Sequence, residues 1–227
     1  MDTLSPSPGY IYRHPHPAVT TNVVIFTIMN ETLKLLLVKR PRPPFQDFWA
    51  LPGGFIVLEE DLAASALRAL ERETGMTGVY LEQLYTFGRP DRDTRERVIT
   101  VAYYALAPAD RLTVRADTDS VAWFTFNNLP PLAFDHIDIV AMASTRLAAK
   151  LDYSTIAFQF MPTQFTLSEL QAVYEIILRE TLDKRNFRKQ MLASNYIQET
   201  GQERRNGSHR PAKLYRLKHP GKVEVFK

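Results

Sequence analysis

Apolar residues near the start of the chain fall in two runs of strand length, Val23 to Ile28 and Leu33 to Val38. Asn30 and Glu31 lie between them, where a hairpin turn would sit. A proline-rich loop, Pro41 to Pro44, leads into Trp49 to Ile56, a short strand interrupted at Pro52-Gly53-Gly54. The period then changes. Over residues 61–74, Leu62, Ala63, Ala66, Leu67 and Leu70 share one side of a helix, and Gly75 supplies its C-terminal stop. Strands are predicted at Tyr80 to Phe87, Val98 to Leu106 and Val121 to Phe126. A second helix is predicted from about His136 to Leu151, with Ile137, Val140, Ala141, Leu147, Ala148 and Leu151 at helical spacing. This mixture predicts an α+β or sandwich-like domain over residues 19–152, preceded by a flexible Pro/Ser-rich arm over 1–18.

From residue 153 the pattern differs. Thr166-Leu167-Ser168-Glu169 is a capping box, with Phe165 and Leu170 at the two staple positions. The helix it opens runs through Leu170, Val173, Tyr174, Ile177 and Leu178. After a break at Thr181-Leu182-Asp183, a second helix is predicted at 184–194, then a hairpin with arms at Tyr196 to Thr200 and Lys213 to Lys218. Helix, turn, basic helix and basic hairpin, over 153–227, is the order of a winged helix-turn-helix.

Charge strengthens that reading. Residues 1–150 carry 15 Lys/Arg against 17 Asp/Glu, whereas 184–227 carry 12 against 3. Such asymmetry points to an anionic partner, nucleic acid first, with a solvated basic tail as the bland alternative. On the basic helix, Phe187, Met191 and Ser194 share one face and are expected to pack. Arg185 and Lys189 lie nearly opposite and Arg188 flanks them, so Lys184, Arg185, Asn186, Arg188 and Lys189 are candidates for the major groove. Arg204, Arg205, His209 and Arg210 at the hairpin tip are candidates for backbone or minor-groove contact. Because helix-turn-helix proteins read palindromes as dimers, a homodimer on double-stranded operator DNA is expected.

Composition removes other classes. The chain has no cysteine, so disulfides and thiolate metal sites are excluded. No stretch reaches the roughly 18 apolar residues of a spanning helix, and no signal peptide is visible, so a cytoplasmic protein without a membrane partner is expected.

One segment carries the pattern of catalytic chemistry. From Gly54 to Met76 the chain reads G-x5-E-x7-R-A-L-E-R-E-T-G-M. This resembles the Nudix box, G-x5-E-x7-R-E-U-x-E-E-x-G-U with U aliphatic, and Trp49, Leu51, Pro52 and Gly53 before it are also similar to that family. The resemblance implies a Nudix α/β/α sandwich. In the intact box three carboxylates at i, i+3 and i+4 lie at about 0°, −60° and +40° around the helix and converge on a divalent cation. The metal polarises a pyrophosphate, and one carboxylate helps to activate water. Here those positions are Ala69, Arg72 and Glu73, so one carboxylate of three survives and a cation replaces another. Glu71 lies about 200° from position 69 and faces away. Glu59 and Glu96 are conceivable loop ligands. Glu60 and Arg68 match the pair that in the family holds the loop against the helix. Catalytic residues are therefore expected to be absent, with Glu60 and Glu73 the residual candidates for catalysis or metal. No cofactor is required, and Mg²⁺ would matter only to residual hydrolysis.

Arg89, Arg92 and Arg95 close a predicted strand in an arginine-dense loop. They suit a diphosphate clamp, against the plainer reading of a solvated loop with internal Asp–Arg pairs. His136 reads as structural or capping, and Trp49 and Trp123 as core. A closer resemblance rests on Tyr80 to Gly88, Arg92-Asp93, Val101-Ala102-Tyr103, Leu132 to His136 and the basic C-terminal region, which look like the Nudix-related transcriptional regulators. The resemblance implies a repressor of NAD metabolism or sugar catabolism that senses ADP-ribose or a related phosphorylated metabolite. Gly53, Gly54, Arg68, Arg72, Arg89, Arg92 and Arg95 are its candidate ligand residues. The alternatives are an ADP-ribose or nucleoside-diphosphate-sugar pyrophosphatase and, more weakly, an RNA-processing Nudix protein.

Overall fold

The computed structural model describes residues 14–111, 119–205 and 211–226. The first half is one mixed sheet. Its central strand, β1 (Ala18–Met29), pairs antiparallel with β2 (Thr32–Lys39) and parallel with β6 (Val98–Leu106). Asn30 and Glu31 take φ of 51° and 56°, the left-handed pair of a tight hairpin. On one flank β2 pairs with β3 (Trp49–Ala50) and β7 (Val121–Thr125); on the other β6 pairs with β5 (Tyr80–Phe87). The two-residue turn at Leu51-Pro52 separates β3 from β4 (Gly53–Phe55), which pairs with the start of β1. A side chain at Gly53 would lie 2.1 Å from the Thr21 carbonyl, so this close approach admits only glycine.

Alternation in β1 explains why the sheet needs cover on both faces. Val23 and Ile25 join Leu36, Val101 and Tyr103 in a core closed by Ala66, Ala69 and Leu70 of α1 (Leu62–Thr74). Val24 and Phe26 join Leu35, Tyr104 and Leu106 on the opposite face, covered by α2 (His136–Leu151). This is the α/β/α sandwich.

The second core does not stop at α2. Ile139, Val140, Ala143, Leu147 and Leu151 continue into Ile156, Phe158 and Phe160 of a 3₁₀ segment, Thr155–Phe160. Beyond it lie Phe165, Leu170 and Tyr174, the last two on α3 (Leu167–Leu178), Phe187 and Met191 of α4 (Lys184–Ala193), and Tyr215. The helical pair and the hairpin of β8 (Ile197–Arg204) with β9 (Ala212–Leu217) make the winged helix-turn-helix. An isolated backbone bridge, Phe165–Tyr215, ties β9 to the residues before α3. The chain end returns to the junction through Thr155 and Glu224. The 3₁₀ segment and this return had no signature in the hydrophobic pattern. Among the described residues no helix is long and apolar enough to cross a membrane.

Candidate functional site

A cavity of about 680 Å³ opens at the carboxyl-terminal edge of the β3–β4 turn, between α1, the loop after β2 and the loop between β5 and β6. Its wall is cationic: among the described residues Lys39, Arg40, Arg42, Arg72, Arg92 and Arg95 share it with two carboxylates, Glu73 and Asp93. Arg92 and Asp135 are buried to 4% and 8% side-chain exposure and joined in a bidentate pair at 2.6 and 3.0 Å, with a third bond at 2.5 Å from Arg92 to the Thr100 hydroxyl. Arg95 is held at 2.7 Å by Asp93, whose carboxyl the guanidinium keeps below its usual range. Among the described residues Arg40 has no carboxylate bonded to it. Its Nε donates to the Pro44 carbonyl at 2.9 Å, and its guanidinium lies 4.6 Å from the centre of the Phe134 ring. Burial, and then the charge of Arg95, lower its pKa.

Phe134 is the hinge of this wall. Its φ of 55° is costly for an aromatic residue, and its neighbours hold it there. Its ring packs on Phe45 at 4.8 Å and His136 at 5.5 Å, with Arg95 at 5.8 Å. His136 is buried, and its Nδ1 accepts the Leu51 amide at 3.0 Å. Burial, aided by Arg92 and Arg40, pushes its pKa down to about 3, so the ring is neutral and serves as a fixed acceptor.

The cavity divides the residues nominated from the sequence. Gly53, Gly54, Arg72, Arg92, Arg95 and Glu73 line it; Arg68, Arg89 and Glu60 do not. The three loop arginines do not form one clamp. Arg89 pairs with Asp91 on the far side of the loop, two-thirds exposed, while Arg92 is buried against Asp135. The loop thus contains the internal Asp–Arg pairs of the plainer reading, and of the two members that line the cavity Arg95 is the one that stays partly exposed. Arg40 and Arg42 carried no motif, and only their place in or beside a proline-rich loop hinted at them; Phe134 lay in the Leu132 to His136 segment that carried the family likeness, with no role assigned to it.

The Nudix helix does not offer a metal site. Ala69 is 3% exposed and packed in the core, not at the cavity. Glu73 accepts from Arg72 at 2.6 Å, and Glu60 is bridged by Arg68 at 2.7 Å, the loop-to-helix pair. Glu59, Glu71 and Glu96 are exposed and line no part of the cavity. Among the described residues no three acidic or histidine side chains gather as metal ligands. The donor set does not fit a divalent cation.

At the other end of the molecule α4 lies with Phe187 and Met191 buried, while Lys184, Arg185, Asn186, Arg188 and Lys189 are exposed. None of the four cations among them makes an ion pair among the described residues. Asp183 caps the helix through the Asn186 amide at 2.8 Å. The turn before it is latched by Gln171, whose amide donates to the Leu182 carbonyl, and by Glu175, which accepts the Leu182 amide, each at 2.9 Å. Arg205 is exposed. Arg204 instead turns inward, at 2.7 Å from Glu169. His209 and Arg210 lie outside the described residues.

Residues 19–143 match the NUDIX domain family, and residues 157–217 match the NrtR DNA-binding winged helix domain. The chain is 39% identical over 209 residues to the ADPR responsive transcriptional repressor NtrR of Acinetobacter baylyi, covering 90% of this chain and 83% of that one. It superposes on Shewanella oneidensis NrtR, in a crystal structure with a 27mer DNA, with a TM-score of 0.80 at 36% identity over 88% of this chain and 93% of that one. The NUDIX domain of the same Shewanella protein, crystallised with ADP ribose, matches with a TM-score of 0.53 at 36% identity, over 59% and 90% of the two chains. With both halves matched in order and the likeness running over most of the chain, the protein belongs to the NrtR family of Nudix-type transcriptional regulators.

Proposed function

We propose that the protein is a DNA-binding repressor whose affinity for its operator is set by ADP-ribose, or a closely related phosphorylated metabolite, in the cationic cavity. The observation that carries this reading is the single core joining the two sites. Asp135 and His136 begin α2 at the cavity wall, and Leu147 and Leu151 near its end pack with the winged helix. A helix with one end at the cavity wall and the other packed on the 3₁₀ segment and α3 links the two sites through the core, since packed interfaces shift as units rather than deforming smoothly. In the cavity the diphosphate meets Arg40, Arg95 and Arg72, side chains that neutralise it where a metal would otherwise be needed. Phe134 and Phe55 offer aromatic faces to the base or ribose. Arg185, Arg188 and the other α4 cations take the DNA, and a homodimer places two such helices on a palindrome. The target genes belong to NAD metabolism or sugar catabolism.

Fluorescence anisotropy with promoter fragments from both gene sets, with and without ADP-ribose, tests the reading. ADP-ribose is expected to shift the apparent Kd for one promoter. Arg40→Ala and Arg95→Ala are each expected to cut ADP-ribose affinity roughly tenfold, as for loss of a charge-assisted hydrogen bond, without changing ligand-free DNA binding. Specific DNA binding that no concentration of ADP-ribose alters would sink the sensing half.

A further inference from the structure

We infer that Arg204 acts on DNA recognition as a positioning residue, bracing the wing against the recognition unit through Glu169 rather than meeting the phosphate backbone. Glu169 uses both carboxylate oxygens. Oε2 accepts the Thr166 amide at 2.7 Å, completing the capping box with the 3.1 Å bond from the Glu169 amide to the Thr166 hydroxyl, and Oε1 accepts Arg204 Nη1 at 2.7 Å. Arg204 Nη2 donates to the Gln164 carbonyl at 3.1 Å. The guanidinium fork therefore joins the last residue of β8 to both sides of the start of α3.

The wing needs such a brace because its ladder is broken. Ile197, Gln198 and Glu199 pair in register with Leu217, Arg216 and Tyr215. The register then shifts, and only Glu203–Lys213 and Arg204–Ala212 pair beyond the irregularity. Gly201, at φ 77°, sits inside it. β9 is tied to the body by the Phe165–Tyr215 backbone pair, at 2.8 and 3.0 Å. No backbone tie of that kind holds the outer end of β8 among the described residues; Arg204 does. A bulge loosens and twists a ladder; within the hairpin the Lys213–Glu199 pair and the Thr200 hydroxyl on the Leu214 carbonyl span it, while Arg204 ties the outer end of β8 to α3. The same cleft is lined by Lys184 and Arg188 of α4, so a wing that swings there moves away from the cations it must act beside.

The inference rests on the DNA-binding reading, and its experiment separates the two. Glu169→Gln keeps a capping acceptor but has one oxygen for two donors, so the brace fails while the helix start survives. Electrostatics alone predicts that removing this negative charge strengthens DNA binding. A brace predicts the reverse, about a fivefold loss of affinity for a surface pair of ordinary strength. Arg204→Gln is expected to lose as much, the double variant no more than either single one, and Arg204→Lys is not expected to rescue, because lysine keeps the charge without the fork. The slope of log Kd against log salt is expected to stay at the parent value in Arg204→Gln, whereas loss of a phosphate contact would lower it by about 0.9. Without DNA, amide exchange at Gln202 to Arg204 is expected to quicken in both single variants. Glu169→Gln binding DNA as well as or better than the parent, a lowered salt slope in Arg204→Gln, or unchanged exchange would each overturn the brace. A parent protein that binds no promoter would count against the DNA-binding reading alone, and the exchange measurement would still decide the brace.

Discussion

The cavity and the exposed face of α4 are both rich in basic side chains, yet they hold them in opposite states. In the cavity Arg92, Arg95 and Arg72 are each joined to a carboxylate, and one pair, Arg92–Asp135, is almost fully buried. On α4, Lys184, Arg185, Arg188 and Lys189 are exposed and make no ion pair among the described residues. Solvent access decides what each arginine contributes. A buried cation must be neutralised before any ligand arrives, since desolvation is costly, so Arg92 contributes architecture. An exposed cation stays available for a polyanion and contributes affinity and salt dependence. Arg40, Arg95 and Arg204 fall between these limits.

The largest effect is expected at Arg92. Arg92→Met leaves Asp135 buried and unpaired and is expected to cost about 3–5 kcal/mol of folding stability, read from denaturant midpoints. A loss below about 1 kcal/mol would mean that burial does not separate the two classes. Arg185→Ala and Arg188→Ala are expected to leave folding stability within about 0.5 kcal/mol, while each weakens operator binding by about 1–3 kcal/mol. Equal losses of stability and DNA affinity would erase the distinction from the other side.

A smaller effect is expected from pH. The folded pKa of His136, about 3, lies below its ordinary value of 6.5. Between these values the unfolded chain binds a proton that the folded one refuses. The contribution is therefore complete above pH 6.5 and is lost as pH falls toward 3, by about 1.4 kcal/mol per pH unit. Thermal melts of the parent should fall over that window, and His136→Gln should flatten the dependence. A parallel decline in parent and variant would assign the acid sensitivity to other groups. The smallest effect is expected at Arg89. Its pair with Asp91 is exposed, so Arg89→Ala should change neither stability nor ADP-ribose affinity by more than about 0.5 kcal/mol. A tenfold loss of ligand affinity would return Arg89 to the cavity.

Local signals placed most of the fold. Alternation and helical period placed β2, β5, β6 and β7 and all four long helices to within a few residues, because a strand or helix face is written in neighbouring positions, but missed the first five residues of β1. The capping box at Thr166 and Glu169 is formed as read, and both of its bonds span three residues. The Nudix spacing located α1, the glycine turns and the Glu60–Arg68 pair by the same logic.

What the sequence alone determined, then, is the order of elements, the two-part architecture, the loss of two box carboxylates and the basic face of α4. Which arginines face a ligand and which are already taken was decided only by the tertiary structure. Arg92 meets Asp135 across 43 residues, Arg204 meets Glu169 across 35, and His136 meets the Leu51 amide across 85. No period or motif relates positions so far apart. A guanidinium looks the same in sequence whether it is waiting for a phosphate or bonded to a carboxylate, and only the packed chain brings the carboxylate to it.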